Sequence, residues 1–292
     1  MTTLVEKHES KKKQLQLSPI SKHIVQRIHR SIYHSRELIN EKNLLYENKV
    51  YSLDIEAIAE TIMYKKQFPL HVRFDINSAP AQILRQALSR IHGYQLILAQ
   101  VEEEIAEKYK SENKEHEKKL LDLWNEMKPN TPLNSRISKQ WVDIGFQGSD
   151  PATDFRGMGV HGLNDLLYFV QHYPTIAHSV LQHASHPVYW YPYAIVGINI
   201  TKFAYQLLET KKLQLHLFEY GTSLAQFTDF YCYLFYTFNR FWVNHEPKLT
   251  VMDFERKFND FKLQIEKDLS CGKINMNIIL QRKKNENDGA RF

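Results

Sequence analysis

Three features of this sequence predict an all-α fold, a multi-helix bundle interrupted by one irregular glycine-rich loop. Apolar residues recur three and four positions apart along most of the chain, the spacing that gathers them on one face of a helix. Only ten Gly and ten Pro are spread over 292 residues, too few turn formers for a many-turned all-β architecture. Hydrophobic residues make up 43%, with sixteen Tyr and sixteen Phe, enough bulk to fill a large core.

Residues 1–17 are polar and read as a frayed end. Ser18-Pro19 offers a helix start, followed by Ile24, Val25, Ile28 and Ile32 at helical spacing. Ser52 begins a second helix, with Ile55, Ile58, Ala59, Ile62 and Met63 on one face. Residues 68–76, broken by Pro69, fit either a short strand or an extended connector. Ser78 is a cap for a third helix, and Pro80 is tolerated in its first turn, where a missing N–H costs nothing. The stripe Ile83, Leu84, Ala87, Leu88 and Ile91 is interrupted at Gly93. From about residue 94 to 127 the pattern stays helical, but residues 108–119 are almost purely charged and polar, as in a solvated helix or a mobile bridge. This divides the chain into an N-terminal helical region of unknown role, residues 1–95, and a second unit, residues 96–272.

In that second unit Leu120, Leu121, Trp124 and Met127 restore an apolar face, and residues 128–136 read as an irregular connector. Leu163, Leu166, Leu167 and Val170 stripe a helix that Pro174 ends. A short helix at residues 176–182, an aromatic turn at 189–192 and a long helix at 193–208 follow. Residues 223–241 carry Leu224, Phe227, Phe230, Leu234 and Phe238 with apolar residues on nearly every side, which predicts a central helix. Thr250 and Asp253 have the spacing of a capping box, opening a last long helix with Phe254, Phe258, Phe261 and Ile265 inward. Gly272 is suited to end it, and residues 273–292 form a basic tail read as disordered.

Charge and motifs exclude several function classes. A formal charge of +5 and a pI of about 8.9 are too mild for a nucleic-acid binder, yet compatible with peripheral contact to anionic membranes. The N-terminus lacks the apolar core of a signal peptide. The most apolar long segment, residues 224–243, contains Gln226, Asp229, Asn239 and Arg240, so no transmembrane segment is expected and the protein reads as cytoplasmic. Cys232 lies among aromatic residues as a buried thiol, and with Cys271 it makes no metal or disulfide pattern. His161, His172, His178, His183 and His186 lack paired zinc-ligand spacing and are read as surface or capping histidines; no metal is expected. Nucleotide-binding and hydrolase motifs are absent, so the chain should bind no cofactor of its own.

Residues 141–159, WVDIGFQGSDPATDFRGMG, differ from everything around them. Four of the ten glycines, Gly145, Gly148, Gly157 and Gly159, fall here between two helical regions, as in a loop of specific shape. Asp150-Pro151 favours a turn. Asp154 is two residues before Arg156, close enough either to cap the next helix or to orient the guanidinium. An arginine beside glycines can meet a phosphate or a carboxylate, but arginines in tight loops more often brace the loop.

The segment resembles the signature of the ELMO-domain family, W-x3-GFQ-x3-P-x-TD-x-RG-x-G-x3-L. It agrees at Trp141, Gly145, Phe146, Gln147, Pro151, Thr153, Asp154, Arg156, Gly157, Gly159 and Leu163. Met127-Lys128-Pro129, Tyr168-Phe169, Tyr173-Pro174 and residues 194–201 extend the likeness over roughly residues 120–269. The family's larger scaffolds act with exchange-factor partners and carry added modules. Its shorter members are GTPase-activating proteins for Arf and Arf-like GTPases, with the signature arginine as the proposed catalytic residue. This chain resembles the short, arginine-bearing branch, which implies an arginine finger at Arg156 supplied in trans to an Arf or Arf-like small GTPase. The partner would bring GTP and Mg, and the setting would be peripheral on endomembranes. The alternative is a non-catalytic adaptor that binds a small GTPase or its exchange factor. Under the resemblance Trp141 and Phe146 anchor the loop in the core. Gln147 bonds the loop backbone rather than positioning the attacking water, which the GTPase normally orients itself.

Overall fold

The computed structural model describes residues 20–46, 52–75 and 77–281, and every regular element among them is helical, as the periodicity predicts. In chain order the α-helices are α1 (Lys22–Tyr33), α2 (Ile39–Tyr46), α3 (Ile55–Lys65), α4 (Leu70–Arg73), α5 (Ala79–Ala106), α6 (Lys114–Met127), α7 (Gly159–His172), α8 (Pro174–Ala184), α9 (Tyr193–Glu209), α10 (Gln214–Tyr220), α11 (Leu224–Val243) and α12 (Phe254–Ser270). The 3₁₀ turns Lys139–Ile144 and Pro151–Gly157 lie between α6 and α7, and a third, Val251–Asp253, leads into α12.

The molecule is organised around α7, which packs against α5, α6, α8, α9 and α11. Its stripe Leu163, Leu166, Leu167 and Val170 is buried as read from the sequence. The aromatic helix α11 supplies Phe227, Phe230, Leu234 and Phe238 to the same core. Phe238 then meets Phe254, Phe258 and Phe261 of α12 edge-on. Such edge-to-face packing adds to the burial of the rings themselves. The Thr250–Asp253 capping box is present, with the Thr250 N–H donating to Asp253 at 3.0 Å. Gly272 follows α12 at φ 65°, in the left-handed region.

On the N-terminal side, α1, α2, α3 and α4 all pack on α5, whose other end reaches α7. Residues 95 and 96 are both inside α5, and the buried side chains of the two halves form one continuous cluster. Gly93 does not interrupt this helix. A Cβ there would sit 2.7 Å from the Thr222 carbonyl oxygen, so the glycine serves close approach of the α10–α11 turn.

Several local expectations change. Residues 68–76 are neither strand nor extended connector, since 70–73 form the helical turn α4 behind Pro69; Ile76 lies outside the described residues. Asp54, not Ser52, caps α3, accepting from the Ala57 N–H at 3.0 Å. Ser78 holds the cap position of α5 but spends its hydroxyl on the Val72 carbonyl at 3.3 Å. The charged run 108–119 is broken: α5 stops at Ala106, and Asn113 caps α6 by accepting from the Glu115 and His116 N–H groups. Beyond residue 273, Ile274, Met276 and Ile279 are buried in the core. Residues 1–19, including Ser18-Pro19, and 282–292 lie outside the described residues. No helix among the described residues is long and apolar enough to cross a membrane.

Candidate functional site

The loop between α6 and α7 is built on a row of buried rings. Trp124 of α6 meets Trp141 edge-on, Trp141 meets Phe146, Phe146 meets Phe155, and Phe155 meets Tyr109. Trp124, Trp141, Phe146 and Phe155 are each no more than 2% exposed. The two indoles satisfy their N–H groups on the connector itself, Trp124 on the Thr131 carbonyl at 2.8 Å and Trp141 on the Arg136 carbonyl at 2.9 Å. The loop is thereby fastened to α6 at the Trp124 end of the row and to Tyr109, between α5 and α6, at the other.

Two of the four glycines explain the backbone path. Gly145 has φ 81°, and a Cβ on it would collide with the Tyr193 backbone nitrogen at the start of α9. Gly159 has φ 53°, and a Cβ on it would collide with the Ile105 and Glu107 carbonyls at the end of α5. These positions accept only glycine, through strain and through space together. Gly148 and Gly157 differ, because an added Cβ would meet nothing within 4 Å. Their effect is low relief on the loop surface, on the Gly157 side directly beside Arg156.

Polar contacts complete the bracing. Arg136, half-buried, donates through Nε to Glu117 at 2.6 Å and through Nη1 to Asp150 at 2.9 Å. Burial would lower its pKa, but the two carboxylates more than offset this and hold it above the ordinary arginine value. Tyr109 donates its hydroxyl to the same Glu117. Asp150 also accepts from the Ala152 N–H at 3.0 Å, capping the second 3₁₀ turn with Pro151 in its first position. Partial burial pushes the Asp150 carboxyl up, and the Ala152 N–H and Arg136 bring it down below its ordinary value. Sequence reading missed Arg136. The cap role of Asp150 was signalled by its place before Pro151, since an aspartate followed by proline opens helical turns.

Asp154 neither caps α7, whose N-cap position is Met158, nor forms an ion pair with Arg156. Its carboxylate accepts from the Gln147 backbone N–H at 3.0 Å, tying the two arms of the loop together. Burial raises its pKa against the opposing pull of that N–H and of the Arg156 charge. The Gln147 side chain is exposed. Thr153 is exposed too, and its carbonyl receives the Arg156 Nε–H at 2.8 Å. Arg156 itself is exposed and pairs with no carboxylate among the described residues. Chemically, the loop holds out one exposed arginine that is in no ion pair among the described residues, on a base braced by buried rings and by Arg136.

Of the histidines, His172 and His186 stack on Tyr168 and Tyr189, and His178 bonds the Glu126 carbonyl at 2.8 Å. His183 bonds the Asn239 side chain at 3.0 Å. His161 is a correction: it is buried at 1% exposure, because the first turn of α7 turns it toward Glu104 on α5. Among the described residues no three His, Cys, Asp or Glu side chains gather as metal ligands. Cys232 is buried and Cys271 exposed, and they are not bonded to each other.

The structure thus defines a helical bundle with a glycine-shaped loop that presents an arginine. The ELMO/CED-12 family matches residues 99–258, and the chain belongs to that family. It is similar to ELMO domain-containing protein 2 of Bos taurus, with 39% identity over 225 residues, 76% of this chain and 74% of that protein. ELMO domain-containing protein 1 of Mus musculus is 40% identical over 235 residues, 74% of this chain and 71% of the relative. ELMO domain-containing protein B of Dictyostelium discoideum is 32% identical over 254 residues, 78% of this chain and 88% of the relative. No solved structure matches the chain.

Proposed function

We propose that this chain is a GTPase-activating protein for an Arf or Arf-like GTPase, and that Arg156 is the arginine it inserts. The observation that carries this reading is the exposed Arg156 guanidinium, in no ion pair among the described residues, on a loop locked by buried rings and by Arg136. A bracing arginine would be paired inward, and Arg136 already does that work. The likeness to the short, arginine-bearing ELMO-domain branch supplies the reaction.

GTP hydrolysis spreads negative charge over the γ-phosphoryl and leaving oxygens, and an arginine supplied in trans accelerates it by about 10³–10⁵-fold. The partner brings GTP and Mg; this chain contributes position and charge. The Thr153 carbonyl holds Arg156 at Nε and thereby sets the direction of the planar fork. The bare flank at Gly157 lets a partner surface approach. Lysine would serve poorly, because its point charge cannot contact two oxygens in one plane.

The test is single-turnover GTP hydrolysis by a panel of Arf-family GTPases, with wild-type and Arg156→Ala protein and with binding measured separately. Stimulation by wild type and none by Arg156→Ala, at retained binding, is the expected result. Full stimulation by a folded Arg156→Ala protein would falsify the role of Arg156. Binding without stimulation by wild type would identify an adaptor instead.

A further inference from the structure

Two of the charged surface helices balance their own charge. On α6 Lys118 pairs with Asp122 and Lys119 with Glu115, one turn apart in each case. On α12 Lys257 pairs with Asp260, and Arg256 with Asp253 just before the helix. Pairs at this spacing keep a solvated face near neutral. α1 is built differently: its sequence KHIVQRIHRSIY contains no aspartate or glutamate. Its apolar side packs on α5 and α10, with Val25 and Ile32 buried. On the opposite side His23, Arg27, Arg30 and His34, the last at the C-cap, are all exposed. At 3.6 residues per turn they fall within an arc of about 60°, forming one row about 16 Å long. Ile24, 39% exposed, and Tyr33, 50% exposed, stand on either side of the row.

The carboxylates of the flanking segments are paired with other cations: Glu219 of α10 with Lys22, Glu37 with Lys66, and Glu41 of α2 with Lys65. Arg27 and Arg30 are in no ion pair among the described residues. Lys211, in the turn between α9 and α10, adds another exposed cation close enough to act on His29 of α1. Burial lowers the His29 pKa, and Lys211, Arg30 and His34 lower it further, as a positive field at this face requires. A row of cations flanked by apolar side chains complements a surface with negative charge at its edge and hydrocarbon beneath. A nucleic-acid backbone would meet the cations and leave Ile24 without a partner.

We infer that the outward face of α1, together with Lys211, docks on a membrane surface rich in anionic phospholipid headgroups. The cations meet the headgroup phosphates and carboxylates, and Ile24 and Tyr33 enter the interfacial layer. The inference does not depend on the role of Arg156.

Co-sedimentation of the full chain with vesicles tests it, using phosphatidylcholine alone and phosphatidylcholine with about 30% phosphatidylserine. Binding to the anionic vesicles only is expected at about 0.1 M salt, with loss toward about 0.5 M as the charges are screened. Arg27→Gln with Arg30→Gln should weaken it by about 25-fold, about fivefold for each cation removed at the surface. Both side chains are exposed, so the fold is kept. Lys118→Gln with Lys119→Gln removes the same charge from α6 and should leave binding within about twofold, since those cations already have partners. Equal binding to both vesicles, equal losses in the two double variants, or unchanged binding in the α1 variant overturns the inference. Binding to polyuridylate with none to the anionic vesicles overturns it in favour of a nucleic acid.

Discussion

Arg136 and Arg156 belong to one short stretch of chain, yet they are opposites. Arg136 is half-buried between Glu117 and Asp150, and its charge is consumed inside the loop. Arg156 is exposed and held at Nε by a backbone carbonyl; the Asp154 carboxylate feels its charge, but no carboxylate among the described residues forms an ion pair with it. The difference separates holding from acting. An arginine that stabilises the loop must give up its charge to neighbours, and an arginine that meets an incoming phosphate must keep it.

The sharpest way to break this comparison is to truncate each arginine in turn. Arg156→Ala should lower stimulated GTP hydrolysis by about 10³-fold or more while the melting temperature stays within a degree or two. Arg156→Lys should recover little of the loss. A large fall in melting temperature instead would show that Arg156 braces the loop after all.

Next in size is the backbone on which both arginines depend. Gly145→Ala combines a φ of 81° with a collision against Tyr193, and should cost about 3 kcal/mol or more in denaturant titration. Gly157→Ala has open space around it and should leave stability nearly unchanged. Equal effects of the two substitutions would contradict the assignment of only Gly145 to the loop's shape.

A smaller effect is expected at Arg136. Arg136→Met keeps the stem but leaves Glu117 and Asp150 without their cation, a loss of about 1–2 kcal/mol given the partial exposure of all three. Stimulation should fall only as far as the loop loosens, well short of the Arg156→Ala loss.

The smallest effect is the pH dependence of the same contact. The Asp150 carboxyl lies below its ordinary value of 3.8 in the folded chain, so its contribution is full above that pH and is lost as pH falls through the folded value. The stability gap between wild type and Arg136→Met should therefore be constant near neutrality and shrink below about pH 4. A gap that widened on acidification would reverse the sign and remove Asp150 from the account.

How much of this could be read in advance depends on the distance over which each feature is decided. The helices α3, α7, α9, α11 and α12 announce themselves through apolar stripes, and the signature loop through its glycines, because those patterns are local. The short helices α2 and α10 escaped, since neither carries a stripe long enough to stand out; α2 packs on α5, and α10 on α1 and α5. Gly93 read as an interruption because its reason, the Thr222 backbone, is far away in sequence. Arg136 looked like one more residue of a connector until Glu117 and Asp150 came to it from either side. His161 read as a surface histidine for the same reason: its partner Glu104 is on another helix.

By itself, then, the sequence determined the all-helical class, the inward faces of the long helices and the segment that holds the candidate site. Periodicity, capping residues and glycine content act within a turn or two of chain. Only the tertiary structure decided that Arg136 is enclosed by two carboxylates, that Asp154 ties the loop arms rather than capping α7, and that Glu104 of α5 meets His161. Each of those outcomes rests on groups brought together from separate elements, where burial and charge pairing, not local preference, set the balance.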